Sequence, residues 1–322
     1  MILTVTINPL LERRLFFNNV SLGKSQRAFD ENFYAGGKGI NVSRQLNFLG
    51  LKNHAFTFLG GNNGKILRHC LQKDKIDFTV VSTKSETRIA DLIIEKENKR
   101  VTTFFGLNSK ITSDEVSDFK LKLDKMIQNC STVVFAGSSP CEETDDIFSF
   151  GINLASEYDK ISILDSYGSH LEKSYQAKPT IVHNNISEIE NSLNIDLSSE
   201  ENKINFLLDL NKQGIKWAFL TDGENPIYAS KFDFIYKVEF PKVEVFDSTG
   251  SGDAFTAGVA YSVDNSLVFE DTLKLSTKLG MLNATMIETC EVERNLLDDF
   301  DPQITIIPIG KKMKLINDSP TT

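Results

Sequence analysis

The 322-residue sequence contains no apolar run that approaches the roughly 20 residues of a membrane-spanning helix, so we expect no membrane segment. It has only 8 prolines and no low-complexity segment, and 40% of its residues are hydrophobic, which excludes disordered and collagen-like chains. Its 35 basic residues are outnumbered by 44 acidic residues, giving a formal net charge of −9. Because nucleic-acid binding depends on positive charge at the phosphates, this acidic chain is not expected to bind nucleic acid.

Cysteine and histidine are also scarce, with four residues of each type. No two cysteines form a C-x-x-C pair, and the histidines lack the spacing of a zinc motif such as H-E-x-x-H. We therefore expect reduced thiols in a cytoplasmic protein rather than a disulfide framework. The first nine residues lack the basic region of a signal peptide and are typical of a strand instead. The cysteines are Cys70, Cys130, Cys141 and Cys290.

Short β-rich apolar segments alternate with amphipathic stretches along most of the chain. This alternation is typical of βαβ units, in which helices cover both faces of a mostly parallel sheet. The sequence therefore predicts an α/β fold, a single domain over residues 1–322, with a polar tail at 311–322 that frays. The predicted strands cover residues 132–136, 160–164, 179–182 and 217–220. The predicted helices cover residues 115–128, 145–158 and 200–213, with Ser113 as an N-cap.

Two segments, residues 12–35 and 76–106, depart from this rhythm. Each contains β-type runs without a long helix between them, and the second has a turn at residues 97–99. Both are typical of antiparallel β-structure inserted into the α/β body. A small sheet that cannot bury both of its faces needs a partner, so we expect a lid over a cleft, a dimer contact, or both.

The most informative segment covers residues 243–262. An alternating strand is predicted to end at Asp247, a turn with Gly250 and Gly252 follows, and an apolar helix begins around Asp253. The start of a helix exposes unpaired N–H groups and the positive end of the helix dipole, and glycines let an anion approach closely. This segment therefore predicts an anion-binding site.

Asp253 is unexpected at such a turn, because a carboxylate repels an anion. One interpretation is that it accepts the proton of an attacking hydroxyl group and so delivers a nucleophile to a phosphoryl group. The other interpretation is that it caps the helix, which is a common role of aspartate. The spacing alone leaves both interpretations open.

A second glycine-rich segment, residues 34–46, places three glycines around Lys38 just before an amphipathic helix. Backbone donors and an ammonium group at one spot suit a polar or phosphorylated ligand, and Asn41 in the first turn can point to the same place. The P-loop pattern and the G-x-G-x-x-G pattern are both missing from the sequence. Neither a P-loop NTPase nor a Rossmann dehydrogenase is therefore supported.

The two segments together resemble the signatures of the PfkB (ribokinase-like) family of carbohydrate kinases. One signature corresponds to Gly36-Gly37-Lys38-Gly39-x-Asn41, and the other, D-[ST]-x-G-[AS]-G-D, to residues 247–253. Residues 4–9 resemble the branch that acts on hexose monophosphates, which contains 1-phosphofructokinase and tagatose-6-phosphate kinase. The family fold is a mostly parallel sheet with helices on both faces and a small β lid, which agrees with the pattern described above. Further matches lie at residues 86–88, 137–140, 165–168, 185–188 and 221–223.

The resemblance implies ATP as the phosphoryl donor, Mg²⁺ as the metal, and a role for each matching residue. It implies Asp253 as the general base and Gly250, Ser251 and Gly252 as the anion hole that stabilises the transferring phosphoryl group. It also implies that Glu188 meets Mg²⁺ through bound water. The implied sugar-binding residues are Glu12, Arg27, Gly37, Lys38, Asn41, Arg88 and Ser138. The implied nucleotide-binding residues are His183, Asn185, Thr221, Gly223, Ser248, Gly250, Gly252 and Asn283.

Four positions depart from the hexose-phosphate branch. Glu12 stands in place of an aspartate, His183 in place of a lysine and Pro226 in place of a glycine, and Phe104-Phe105 replace polar lid residues. These positions lie on the substrate and nucleotide walls, whereas the base and the anion hole are intact. We therefore expect catalysis to be kept and the sugar preference to be altered.

The expected activity is transfer of the γ-phosphoryl group of ATP to a hydroxyl of a phosphorylated ketohexose, of the fructose 1-phosphate or tagatose 6-phosphate type. The protein is expected to pair as a homodimer through the lid. The positive charges of Arg27, Lys38 and Arg88 favour a phosphorylated acceptor, because together they offset its charge. An unphosphorylated sugar or a nucleoside as acceptor stays open, as does a non-catalytic sugar- or nucleotide-responsive protein on this scaffold.

Overall fold

The computed structural model describes residues 1–309, and its larger sheet contains ten strands within that range. Their order across the sheet is β14-β13-β12-β11-β10-β9-β8-β1-β4-β5. The strands from β5 to β11 in this order pair in parallel, and the strands from β11 to β14 pair antiparallel. In chain order they are β1 (Ile2–Thr6), β4 (Asn53–Gly60), β5 (Phe78–Thr83), β8 (Thr132–Gly137), β9 (Ile161–Ser166), β10 (Ile181–Asn185), β11 (Trp217–Asp222), β12 (Asn225–Lys231), β13 (Phe234–Glu239) and β14 (Thr305–Ile309).

Helices cover both faces of this sheet, as the sequence predicts. Successive side chains of a strand point to opposite faces. In β8, Val133 and Phe135 join one apolar cluster, whereas Val134 and Ala136 join the other. The helices are α1 (Lys38–Phe48), α2 (Gly61–Lys73), α3 (Ser113–Gln128), α4 (Ile147–Glu157), α5 (Leu171–Gln176), α6 (Ile186–Leu193), α7 (Glu200–Lys212), α8 (Ser251–Asp264), α9 (Phe269–Ala284) and α10 (Arg294–Asp299).

A separate small sheet has the strand order β3-β2-β6-β7. Its outer pairs are antiparallel, as the sequence predicts, but β2 and β6 pair in parallel. The expectation that residues 76–106 belong wholly to this sheet is wrong, because Phe78–Thr83 forms the edge strand of the larger sheet. The strand–helix–strand sequence β4-α2-β5 is a βαβ unit, which places β5 parallel to β4. The four strands are β2 (Leu10–Phe17), β3 (Asp30–Gly36), β6 (Ile89–Glu95) and β7 (Arg100–Phe105).

The start of α3 also differs from its prediction. Thr112, not Ser113, is the N-cap, and its hydroxyl accepts a bond from the backbone N–H of Glu115. The carboxylate of Glu115 in turn accepts the backbone N–H of Thr112, which completes a capping box. A cap that forms two reciprocal bonds outweighs the single bond that Ser113 would offer one residue later.

The segment before α8 is irregular rather than the predicted alternating strand. The backbone N–H groups of Phe246 and Asp247 both bond to the carbonyl of Ala284, at the end of α9. These bonds tie the segment to the end of a helix instead of to a neighbouring strand. The helix itself begins at Ser251, two residues before the predicted start.

Three further observations concern the sequence-based expectations. All four cysteines are free thiols, and three of them are buried. None of the helices within residues 1–309 is long and apolar enough to span a membrane. The expectation for the tail at 311–322 lies outside the described residues.

Candidate active site

The candidate residues gather where the parallel strands of the larger sheet end and three helices begin. Such a crevice is where open α/β sheets bind ligands. Lys38 is the first residue of α1, Glu188 lies in the first turn of α6 and Asp253 in the first turn of α8. Asp165 lies near the end of β9, and His183 lies in β10. The α/β topology therefore brings residues that are far apart in sequence to one edge.

Lys38 bridges two carboxylates at this edge. Its Nζ donates to Oδ1 of Asp165 at 2.9 Å and to Oε2 of Glu188 at 3.1 Å. Although burial lowers the pKa of Lys38, the nearby charges of Asp165, Glu188 and Asp253 raise it above its usual value. Lys38 is therefore a fixed positive charge in the site.

Asp253 is buried, with 5% of its surface exposed. Its Oδ2 accepts a hydrogen bond of 2.7 Å from Nδ2 of Asn41 in α1. Burial raises the pKa of Asp253 to about 7, the charges of Asp165 and Glu188 also raise it, and Lys38 and Asn41 lower it. A carboxyl group with a pKa near neutrality is suited to general-base chemistry. Helix capping is not its role, because the N-cap of α8 is Gly250.

A buried network lies beneath Lys38. Oδ2 of Asp165 accepts the hydroxyl of Thr256 at 2.7 Å and lies 3.2 Å from Nδ1 of His183. Because a carboxylate only accepts, we assign the ring proton to Nδ1, which leaves Nε2 to accept the hydroxyl of Thr221 at 3.0 Å. A Cβ at Gly252 would stand 3.3 Å from Cε1 of His183. His183 therefore lies directly under the glycine turn, with both ring nitrogens engaged inside the protein.

The glycine turn itself is held in place by specific contacts. Gly250 has φ of 78°, and a Cβ there would stand 2.2 Å from a methyl group of Thr289, so only glycine fits. The N–H of Ser251 bonds to the carbonyl of Ser248 at 3.1 Å. The N–H of Ala254 bonds back to the carbonyl of Gly250. For Gly252 and Asp253 the helix offers no acceptor one turn earlier. Those two N–H groups, of residues 252 and 253, point to the start of the helix.

Asn283, in α9, fastens the turn from behind. Its Nδ2 donates to the carbonyl of Thr249 at 2.9 Å and to the hydroxyl of Ser251 at 3.2 Å. Its Oδ1 accepts the backbone N–H of Cys290 at 2.7 Å. The amide of Asn283 is therefore fully occupied, and it acts on the turn through these bonds.

Arg88 and Ser138 are both hydrogen-bonded to Asn8, which lies just after β1. Arg88 donates to the carbonyl of Asn8 at 3.0 Å and to Oδ1 of Asn108 at 3.3 Å. The side chain of Asn8 donates to both Asn108 and the hydroxyl of Ser138. Oδ1 of Asn8 is buried and has no hydrogen-bond partner among the described residues. This corner thus contains a guanidinium group and a free acceptor.

Glu12 lies against Gly36, in the glycine-rich turn before α1. Glu12 is buried in β2, and its Oε2 accepts a hydrogen bond of 3.0 Å from the buried Arg14. A Cβ at Gly36 would stand 2.5 Å from Oε1 of Glu12. The glutamate, which is longer than the aspartate expected here, therefore fits because residue 36 has no side chain. Gly37, with φ of 116°, is the N-cap of α1.

Three further predicted residues lie at the start of α6, in the turn between β11 and β12, and in the loop between β2 and β3. Asn185 caps α6 by accepting the backbone N–H of Ser187 at 3.0 Å. Gly223 forms the turn between β11 and β12 with φ of 54°. Arg27 is exposed in the loop between β2 and β3, and no contact within residues 1–309 joins it to the other candidates.

Sequence reasoning missed the roles of four buried residues. Asp165 had a usable signal, since it lies near the end of a predicted strand and strand ends share one edge of a parallel sheet. Arg14, Arg44 and Thr256 carried no comparable signal. Arg14 and Arg44 lie close in sequence to the side chains that they hold, but no motif marks them, and Thr256 is far in sequence from its partner. They hold Glu12, Asn41 and Asp165, respectively.

Comparison with known proteins gives both the class and the family of this chain. The profile of the pfkB family of carbohydrate kinases matches residues 12–294, and the chain belongs to this family. The chain is therefore a phosphotransferase that acts on a carbohydrate.

Individual relatives cover nearly the whole chain. A tagatose-6-phosphate kinase of Staphylococcus epidermidis is 29% identical over 312 residues, which is 96% of this chain and 100% of the relative. A 1-phosphofructokinase of Borreliella burgdorferi is 30% identical over 294 residues, which is 91% of this chain and 94% of the relative. A crystal structure from Thermotoga maritima, described as a possible 1-phosphofructokinase, is 24% identical, covers 96% and 99% of the two chains, and has a TM-score of 0.86. This last similarity confirms the fold.

Proposed function

We propose that this chain transfers the γ-phosphoryl group of ATP to a hydroxyl group of a phosphorylated ketohexose, with Asp253 as the general base. The observation that carries this proposal is the buried carboxyl group of Asp253, held by Asn41, at the start of a helix whose first N–H groups are free of helical partners. Burial also raises the pKa of this group, which suits a general base. The tagatose-6-phosphate kinase and 1-phosphofructokinase relatives support the choice of acceptor.

The proton transfer is assigned to Asp253. Its Oδ2 already accepts a hydrogen bond from Asn41, so Oδ1 is the oxygen that accepts the proton of the sugar hydroxyl. The alcohol oxygen then bonds to the γ-phosphorus as the bond from that phosphorus to the bridging oxygen of ADP breaks. Asp253 is left protonated and returns its proton to solvent when the product leaves.

Negative charge on the transferring group is met by the start of α8 and by Lys38. The N–H groups of Gly252 and Asp253 have no acceptor within the helix, and the helix dipole is positive at this end. Lys38 stays protonated because Asp165 and Glu188 flank it. These fixed donors need no reorganisation during the reaction, which is the basis of electrostatic catalysis.

The residues present fit ATP with Mg²⁺. Among the described residues no group of three acidic, histidine or cysteine side chains is placed to hold a metal by itself. Mg²⁺ is commonly bound by one or two carboxylates together with substrate phosphates and water. Glu188 would be the carboxylate here, through water, and the bound metal would supply charge neutralisation at the phosphates.

A phosphate on the acceptor is favoured by the corner around Arg88. Its guanidinium group already lies against carbonyl oxygens of Asn8 and Pro9, so it is held in place before the sugar binds. A guanidinium group held in this way suits a phosphate, because its planar N–H donors match the phosphate oxygens.

We also propose that the small sheet is the lid and that two copies pair through it. Two large apolar side chains on β7 are exposed, Phe104 at 60% and Phe105 at 66%, and Phe29 beside β3 is 51% exposed. Exposed apolar groups on one small sheet are typical of a contact surface. Analytical ultracentrifugation of the wild-type chain and of a Phe104→Ser/Phe105→Ser variant tests this pairing, and a monomer in both cases contradicts it.

Screening ATP turnover by the purified protein tests the proposed function. The panel contains ketohexose 1-phosphates, ketohexose 6-phosphates, the matching free sugars and nucleosides. Turnover with a ketohexose phosphate and little turnover with its free sugar is the expected result. Efficient turnover of a free sugar or a nucleoside would overturn the acceptor class, and ATP binding without turnover of any compound would overturn the kinase proposal.

A further inference from the structure

Arg44 lies in α1, one helical turn after Asn41, and is 3% exposed. An arginine side chain has five N–H donors and no acceptor. All five find oxygen atoms here. Asp74 accepts two bonds at 3.0 and 2.9 Å, Oδ1 of Asn41 accepts one at 2.8 Å, and the carbonyls of Ala35 and Thr289 accept the others.

This arrangement fixes which way the amide of Asn41 points. Because Arg44 can only donate, the side chain of Asn41 must turn its oxygen toward Arg44. The NH₂ group of Asn41 then faces the other way, toward Oδ2 of Asp253 at 2.7 Å. If the amide rotated by half a turn, two donors would face each other at Arg44 and two oxygens would face each other at Asp253.

We propose that Arg44 is a positioning residue for the phosphoryl transfer, acting through Asn41 to hold Asp253 with Oδ1 free for the sugar hydroxyl. This inference rests on the proposed role of Asp253 as the base. Arg44 itself touches neither Asp253 nor the glycine turn in the contacts of the described residues. Its effect on the reaction is therefore transmitted by the orientation of one amide.

Different charged groups surround Asp253 and Arg44. Asp253 is faced by Lys38 from α1, Asp165 from β9, Glu188 from α6 and the Cys290 thiol from the segment after α9. Arg44 is faced by Asp74, Glu12, Glu291 and the same thiol. Removal of Arg44 therefore changes the hydrogen bond at Asn41 directly, whereas Lys38 and the carboxylates around Asp253 stay in place.

The test compares two variants, because Arg44 is also half of a buried ion pair. Removing Arg44 alone leaves the carboxylate of Asp74 without its cation, so the arginine is removed together with its partner. Asp74→Asn leaves Arg44 without its counter-charge, so the stability of both variants is measured before their rates are compared. In Asp74→Asn the bond between Arg44 and Asn41 is kept. In Arg44→Met/Asp74→Asn both charges are removed and Asn41 is released. The difference in kcat between these variants measures the effect of the hydrogen bond from Arg44 to Asn41.

We expect the double variant to have kcat at least about tenfold lower than Asp74→Asn at neutral pH, because small misplacements of a reacting group are costly. The acid limb of its pH–rate profile moves to higher pH, because the hydrogen bond from Asn41 lowers the pKa of Asp253 and is lost when the amide rotates. The KM for ATP is unchanged.

A double-mutant cycle separates positioning from a general structural role. In an Asn41→Leu background there is no amide to orient, so adding Arg44→Met/Asp74→Asn lowers kcat no further than adding Asp74→Asn. Purely structural damage from the loss of Arg44 would be additive with Asn41→Leu. Thermal unfolding of each variant shows which samples are folded, and the comparison uses only those.

Two results have different meanings. If Asp253→Asn is inactive but Arg44→Met/Asp74→Asn has the pH profile and kcat of Asp74→Asn, the positioning role of Arg44 is wrong and the proposed function stands. If Asp253→Asn keeps near-normal activity, the proposed base is wrong. A double variant too unstable to assay is replaced by Arg44→Lys, which keeps a positive charge opposite Asp74 but lacks the guanidinium N–H that donates to Asn41. That variant must also move the acid limb to higher pH, and an unmoved limb overturns the proposal.

Discussion

Asn41 donates a hydrogen bond of 2.7 Å to Asp253, although 212 residues separate them in sequence. The bond joins the first turn of α1 to the first turn of α8. These helices pack on the same face of the larger sheet, where Val42 and Leu46 share an apolar cluster with Phe255. The packing of this cluster therefore sets the position of Asp253, and the site depends on both ends of the chain.

The pH dependence of kcat/KM follows from the environment of Asp253. Burial raises the pKa of this carboxyl group to about 7, and only its ionised form can accept a proton. We therefore expect kcat/KM for the acceptor to rise with pH and to level off above about 7, in a profile measured at saturating ATP. A value of kcat/KM that does not change between about pH 5 and about pH 8 would contradict the assignment of Asp253 as the base.

Gly250→Ala tests the shape of the glycine turn before α8. A Cβ at this position would meet a methyl group of Thr289 at 2.2 Å, in addition to the cost of a positive φ for alanine of about 1–2 kcal/mol. We expect a lower unfolding temperature and a kcat reduced at least about tenfold, because the N–H donors move.

Gly50→Ala is the matched control for that variant. Gly50 has φ of 74°, similar to the 78° of Gly250, and a Cβ there would meet nothing within 4 Å. It follows α1, far from the turn in the chain. The control carries the backbone strain alone, so we expect a small loss of stability and a normal kcat. Equal losses of kcat in the two variants would mean that the turn has no special role.

Arg88→Ala tests the proposal that Arg88 binds the phosphate of the acceptor. Loss of a charge-assisted hydrogen bond of about 1.5–3 kcal/mol corresponds to a KM for the phosphorylated acceptor that is about ten- to a hundredfold higher. The KM for the corresponding free sugar and the KM for ATP are expected to change little. Arg68→Ala, which removes a half-buried arginine that lies over Phe78, is the control. An unchanged KM for the phosphorylated acceptor in Arg88→Ala would contradict the proposal that Arg88 binds the acceptor's phosphate.

The sequence carried enough information for the architecture and for the two glycine-rich turns. Apolar runs of strand length and amphipathic stretches of helix length are local signals, and the strands at 132–137 and 217–222 follow them closely. The glycine turn was also recognisable locally, because Gly250 and Gly252 come directly before the apolar part of a helix.

Other features depend on contacts that no local pattern records. Residues 78–83 have the composition of a strand, but the partner strand, β4, decides which sheet they join. Lys38 was expected on the sugar, yet its Nζ is bound by Asp165 and Glu188, which come from other strands and helices. The link from Arg44 to Asp253 was equally hidden, because it appears only when α1 and α8 pack together.

The rate of phosphoryl transfer by Asp253→Asn tests the central claim most directly. Asparagine keeps the shape and the contact with Asn41 but cannot take up a proton, so we expect kcat at least about a hundredfold below wild type. The unfolding temperature and the KM for ATP should be preserved, and Asp264→Asn, at the other end of the same helix, should behave as wild type. A folded Asp253→Asn enzyme with a near-normal kcat would contradict the account.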